Sequence, residues 1–102
     1  MTVHPQISVV INNYNYGRYL PDAIDSALAQ RDVQAEVVVV DDGSTDDSRH
    51  VITAYGDRIR AVFQKNGGQA AALNAGVATA TAPLLAFLDA DDWWQPGKLA
   101  AV

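Results

Sequence analysis

Aspartates crowd two places in this chain: Asp41, Asp42, Asp46 and Asp47 in one, and Asp89, Asp91 and Asp92 in the other. Each place follows an apolar run, and a third polar run, Asn12-Asn13-Tyr14-Asn15, follows the first apolar stretch. Carboxylates gathered on one rim repel each other and raise each other's pKa values unless something positive intervenes. A hard divalent cation with oxygen ligands relieves that repulsion, and it can bridge to a diphosphate. Such sites take one or two carboxylates plus substrate phosphates, which suits Asp89-x-Asp91 at a strand end. An aspartate at such a place also caps helices and makes turns. That reading suits Asp46 and Asp47, whose charge complements the dipole of a following helix. His4 and His50 fit no metal-ligand pattern and read as solvated.

The elements that must position these groups alternate between strand and helix patterns, as in βαβ units around a parallel sheet. Strands are predicted over residues 7–11, 37–40, 59–63 and 84–88. The second is apolar on both faces, as in a strand covered by helices on each side, and the fourth is again apolar throughout. The third is less apolar and belongs nearer an edge. Leu20, Ile24, Ala27 and Leu28 predict a helix over residues 19–30. Ser44 and Asp47 suggest a capping box for a second helix that stops at Gly56. An alanine-rich helix is expected over residues 69–80, and Pro96 reads as the first position of another one. In open parallel sheets, ligands bind outside the carboxyl ends of the strands, so the three polar runs should share one rim. The two acidic runs are expected close enough there to reach one ligand.

The formal charge of −5 argues against nucleic acid, whose phosphates call for a basic stripe. The absence of cysteine removes disulfides and thiolate metal sites. No apolar run approaches the roughly 20 residues of a membrane helix. A cytoplasmic address is the default, with any membrane association supplied by parts outside this chain.

In combination, the motifs resemble those of family 2 glycosyltransferases with the GT-A fold. They are Ser8-Val-Val-Ile-Asn-Asn-Tyr-Asn15, Ala29-Gln30, Glu36-Val-Val-Val-Val-Asp-Asp-Gly-Ser-Thr-Asp46, Asn66-Gly-Gly-Gln-Ala-Ala-Ala-Leu-Asn-Ala-Gly76 and Phe87-Leu-Asp-Ala-Asp-Asp92. The likeness spans residues 7–99. It implies a Rossmann-like open parallel sheet of about four strands with flanking helices, an α/β fold forming the N-terminal, nucleotide-sugar-binding half of a GT-A domain. The acceptor-binding half and the general base are expected outside this chain.

The same resemblance assigns roles. Tyr14 matches an aromatic residue that stacks on the base, and Asn12 lies in the strand-end motif that contacts it. Asp42 matches a carboxylate that accepts from a base imide, which favours uridine, with Asp41 beside it or bracing the turn. Asp89 resembles a ribose contact that can also reach the metal, and Asp91 a ligand of Mn²⁺ or Mg²⁺; Asp92 can share either task. Lys65, Gln69 and Asn74 fall in the phosphate or ribose vicinity. The implied reaction is inverting, metal-dependent transfer of a sugar from a nucleotide-diphospho-sugar, UDP-linked by preference, to a glycan, lipid-linked or protein acceptor. Three features depart from the family pattern: Asn12-Asn13 replaces Pro-Thr or Pro-Ala, Leu73 stands where arginine is common, and Gln69 replaces a lysine found in some relatives.

Two other readings compete. A phospho-acceptor receiver domain is similar in size and alternation, but its acidic pair follows the first strand. A non-catalytic nucleotide-sugar-binding module is the other. Trp93 and Trp94 are expected either in the core or as an apolar patch that faces an acceptor channel or the rest of the domain.

Overall fold

The computed structural model describes residues 4–101. Its elements are β1 (Ile7–Asn13), α1 (Leu20–Leu28), β2 (Ala35–Asp41), α2 (Ser48–Thr53), a short 3-10 turn (Gly56–Arg58), β3 (Arg60–Phe63), α3 (Gln69–Thr79) and β4 (Leu84–Asp89). All four strands lie parallel in the order β3-β2-β1-β4. That is the start of the doubly wound dinucleotide-binding order, whereas a receiver sheet would run β2-β1-β3-β4. The strand order therefore removes the receiver reading.

Strand alternation explains the two layers. Val9 and Ile11 of β1, Val37 and Val39 of β2 and Leu88 of β4 face α1, forming the larger core with Leu20, Ile24, Ala27 and Ile52. Those α1 residues recur at helical spacing, so one stripe of the helix is buried. Full burial of each large aliphatic side chain contributes about 1.5–3 kcal/mol. Val38 and Val40 face the opposite side with Ala72 of α3. There α3 lies so close that a Cβ on Gly76 would meet Val10 Cγ1 at 2.4 Å. Alanine and glycine in α3 thus serve close approach to the sheet.

β4 is more exposed than its apolar sequence alone would suggest. It is an edge strand: Leu84 is 60% exposed and Phe87 51% exposed, with Leu85 exposed as well. An apolar run marks a buried strand only where neighbours cover it, and here the core covers Leu88 and part of Ala86 while Leu84, Leu85 and Phe87 stay open. β3, as predicted, forms the other edge.

Two local predictions change. The helix expected from Pro96 is a series of turns over residues 96–101. Gly97 disfavours helix, and Gln30 captures the segment: its Nε2 donates to Gln95 O at 2.7 Å, and its Oε1 accepts from Leu99 N at 2.8 Å. The capping box at Ser44 is also absent. Helix α2 starts later, with Asp47 at its N-cap, because the Ser44 hydroxyl donates to Asp41 Oδ1 at 2.6 Å.

Candidate nucleotide and metal site

The α3 crossover carries the chain past β2 and β1 on the face opposite α1, so the strand order reverses between β1 and β4 at this rim. A cleft of about 660 Å³ opens there. Asn12, Asn13 and Tyr14 line it from the end of β1, and Asp89, Ala90 and Asp91 from the end of β4. Asn12 pairs in register with Asp89, which places amide and carboxylate side by side on the α3 side. Asp42, Asn66, Gly68 and Gln69 form the facing wall. No lysine or arginine is among the lining residues.

The wall that carries the aromatics is held by short polar ties. Asn15 adopts a left-handed backbone with φ of 60°, a conformation that asparagine tolerates better than most residues. Its Oδ1 accepts from Thr45 N at 2.7 Å and from Asp46 N at 3.2 Å. Asp46 Oδ2 accepts from Gly17 N at 3.0 Å, and its Oδ1 from Ser48 N at 2.9 Å. Asp46, not Asp47, therefore supplies the side chain at the start of α2. Burial works to raise the Asp46 carboxyl, but the bonds from Ser48 and Gly17 outweigh it and hold its pKa below the ordinary value. This leaves Tyr14 and Tyr16 exposed on a braced loop, at 47% and 45%.

Asp41 and Asp42 have different surroundings. Asp41 ends β2 on the α1 side, two residues on from Val39, and is 2% exposed. Its oxygens accept from Asn13 Nδ2 at 2.9 Å, Ser44 Oγ at 2.6 Å and Ser44 N at 3.1 Å. It braces the turn and does not line the cleft, which corrects its placement beside the nucleotide. Asp42 does line the cleft, yet is only 4% exposed. Its Oδ1 accepts from Gln64 Nε2 at 2.8 Å and Gly67 N at 2.9 Å. Its Oδ2 accepts from Gly68 N at 2.9 Å and Asn66 Nδ2 at 3.3 Å. Burial alone would raise this carboxyl; the donors from Gln64, Gly67 and Gly68 prevail and lower its pKa.

The second acidic group is open. Asp89 and Asp91 are exposed, and neither carboxylate has a hydrogen-bond or ion-pair partner among the described residues. Asp92 lies outside the cleft, and its Oδ1 accepts from Trp93 N at 2.8 Å, so the structure does not join it to the other two. Among the described residues, no three acidic or histidine side chains converge as a ready-made metal cage. The two acidic groups are also not strand neighbours, since β1 lies between β2 and β4, putting their strands about 10 Å apart. Two unpaired carboxylates in one cleft still fit a hard cation that takes its remaining oxygens from phosphate and water.

The vicinity residues divide. Gln69 lines the cleft, whereas Lys65 and Asn74 are exposed outside it. Trp93 is 60% exposed beside Asp22 and Asp25, while Trp94 is partly buried against the main core. His4 and His50 are both exposed.

The family model for glycosyl transferase family 2 matches residues 8–102. The chain belongs to that family. An uncharacterised glycosyltransferase of Nostoc sp. is 55% identical over 101 residues, covering 95% of this chain and 31% of that relative. The fold of this family 2 chain matches that of S. aureus TarS 1-349 in complex with UDP-GlcNAc, with a TM-score of 0.82 and 27% identity. That match covers 94% of this chain and 29% of TarS 1-349. Mannosyltransferase PcManGT from Pyrobaculum calidifontis, in complex with GDP-Man and Mn²⁺, is similar with a TM-score of 0.81 and 27% identity. It is matched over 97% of this chain and 31% of its own. The chain thus spans about three-tenths of each of these proteins.

Within this family 2 chain, the sequence motifs gave no site role to Tyr16, Asn66, Gly67 or Gly68. The signal was present in part. Gly68 has φ of 96°, and a glycine pair before a helix can place backbone N–H groups where a carboxylate needs them.

Proposed function

We propose that this chain forms the donor-binding part of a glycosyltransferase that uses a nucleotide-diphospho-sugar, uridine-linked by preference, in polysaccharide or cell-envelope glycan synthesis. The observation that carries the reading is one cleft, at the β1/β4 switch point, that combines an exposed tyrosine wall with two unpaired carboxylates. Tyr14 offers a face for the base, and Asn12 a polar group beside Asp89. Asp89 serves the ribose or the cation, and Asp91 holds Mn²⁺ or Mg²⁺. When bound, the cation supplies Lewis-acid stabilisation to a diphosphate leaving group. The chain's own residues bind the nucleotide and fix its orientation on the rim. The acceptor hydroxyl then attacks opposite the phosphate, with inversion. The general base and the acceptor pocket are assigned to regions beyond this chain, which spans about three-tenths of the Nostoc relative. Among the described residues no helix is long and apolar enough to cross a membrane.

Calorimetric titration of UDP, UDP-sugars and GDP-sugars, with and without Mn²⁺, tests the reading. Uridine nucleotides should bind more tightly than guanosine nucleotides, and only with the metal. Equal affinity without metal, or no binding at all, would contradict it.

A further inference from the structure

Tyr16 lines the same cleft as Tyr14, two residues further on, with 45% of its surface exposed. Its main chain is held on both sides. Tyr16 O accepts from Tyr19 N and Leu20 N, each at 2.9 Å, where α1 begins. The next amide, Gly17 N, donates to Asp46 Oδ2 at 3.0 Å. Before it, Asn15 turns the chain with its left-handed φ of 60° and donates its N–H to Ser44 Oγ at 2.9 Å. A Cβ on Gly17 would meet Asp47 Oδ1 at 2.8 Å and Ser48 Oγ at 2.9 Å, so the loop is seated tightly on the start of α2. The Tyr16 ring is braced in turn by Tyr19, with centroids 6.3 Å apart and planes tilted by 55°, an arrangement that aromatic pairs favour.

We propose that Tyr16 is a second aromatic contact for the nucleotide base, which adds affinity without choosing the base. Two arguments carry it. A half-exposed ring on a fixed backbone has lost much of its freedom before a ligand arrives, so covering it gains apolar burial at little further entropic cost. No lysine or arginine lines the cleft, so ring surface must supply a larger share of the hold on a nucleotide. Every base has a π-face, so such a ring serves uridine and guanosine alike, and the choice between them falls to hydrogen-bonding groups.

This role rests on the donor-site reading above. UDP and GDP, each with Mn²⁺, are titrated into the wild type, Tyr16→Phe and Tyr16→Ala, and each protein is also melted without ligand. Tyr16→Phe keeps the ring and should bind as the wild type does. Tyr16→Ala should bind both nucleotides about tenfold more weakly, with their ratio and the ligand-free melting temperature unchanged. Full affinity in Tyr16→Ala, a loss confined to one nucleotide, or an equal loss in Tyr16→Phe would overturn the role. If Tyr16→Ala does not fold, the wild-type ring resonances of Tyr16 decide. They should move on addition of UDP with Mg²⁺ and stay in place with pyrophosphate and Mg²⁺; resonances that ignore UDP would refute the contact. A wild type that binds no nucleotide removes the donor-site reading and this role together, whereas wild-type binding that survives Tyr16→Ala intact removes this role alone.

Discussion

Asp41 and Asp42 sit at the end of β2, and Asp89 and Asp91 at the end of β4, so the same residue type stands on the same rim of the same sheet. The first pair is buried and surrounded by donors, whereas the second is exposed and has none. The β2 end meets three neighbouring segments that supply amides: the β1 terminus, its own turn at Ser44 and the Asn66–Gly68 turn. Among the described residues the β4 end is an edge, with β1 on one side only. Carboxylates beside a closed loop become structural; carboxylates at an open edge keep their charge free for a cation. The two acidic runs were expected close enough to reach one ligand, with a cation relieving their repulsion. At the β2 end hydrogen bonds from amides and a hydroxyl compensate the charge in place.

The largest test of this division is Asp42→Ala, which leaves the Gly67 and Gly68 N–H groups without their acceptor. Urea unfolding should show a loss of about 2–3 kcal/mol, and a loss below about 0.5 kcal/mol would erase the structural role. Acidification probes the bonded carboxylates as a set. Asp42, Asp46 and Glu36 all have pKa values lowered in the fold. For Glu36, at the opposite rim, burial opposes the shift, but Ser8 and Thr81 donate to it and Arg60 lies 3.5 Å away. Lowered groups bind fewer protons folded than unfolded, so their stabilisation is complete above the unfolded values, near 4. It should be lost as pH falls through the folded ones. Combining Glu36→Gln with Asp42→Asn should flatten thermal unfolding against pH in that window. Unchanged steepness would place the acid sensitivity elsewhere. Asp46→Ala removes only the tie between α2 and Gly17 and should cost about 1 kcal/mol by the same urea assay. A cost equal to that of Asp42→Ala would blur the contrast.

Much of the fold was legible because its signals are local. Valine-rich runs gave β1 and β2, and the spacing of Leu20, Ile24 and Ala27 gave α1 with its buried stripe. The segment after Pro96 was misread because its fate depends on Gln30, far away in sequence. β4 was found as a strand, but its composition reports apolarity and not which neighbour covers it. Tyr14, Asp89 and Asp91, singled out by type, position and resemblance, line the cleft. Asp41 faces the α1 side by strand alternation, a distinction that shifts with one residue of register. Asn66 and Gly68 were invisible as site residues because only the closed turn aims their N–H groups at Asp42.

Thermal unfolding of the wild type, Asp42→Ala and Asp91→Ala, with and without UDP plus Mn²⁺, measures both halves of the division at once. Without ligand, Asp91→Ala should match the wild type within about 0.5 kcal/mol while Asp42→Ala melts several degrees lower. With ligand, the wild type should gain stability by linkage, and Asp91→Ala should lose the part that depends on metal. An Asp91→Ala protein that melts as early as Asp42→Ala, or one that keeps the full metal-dependent gain, would contradict the account.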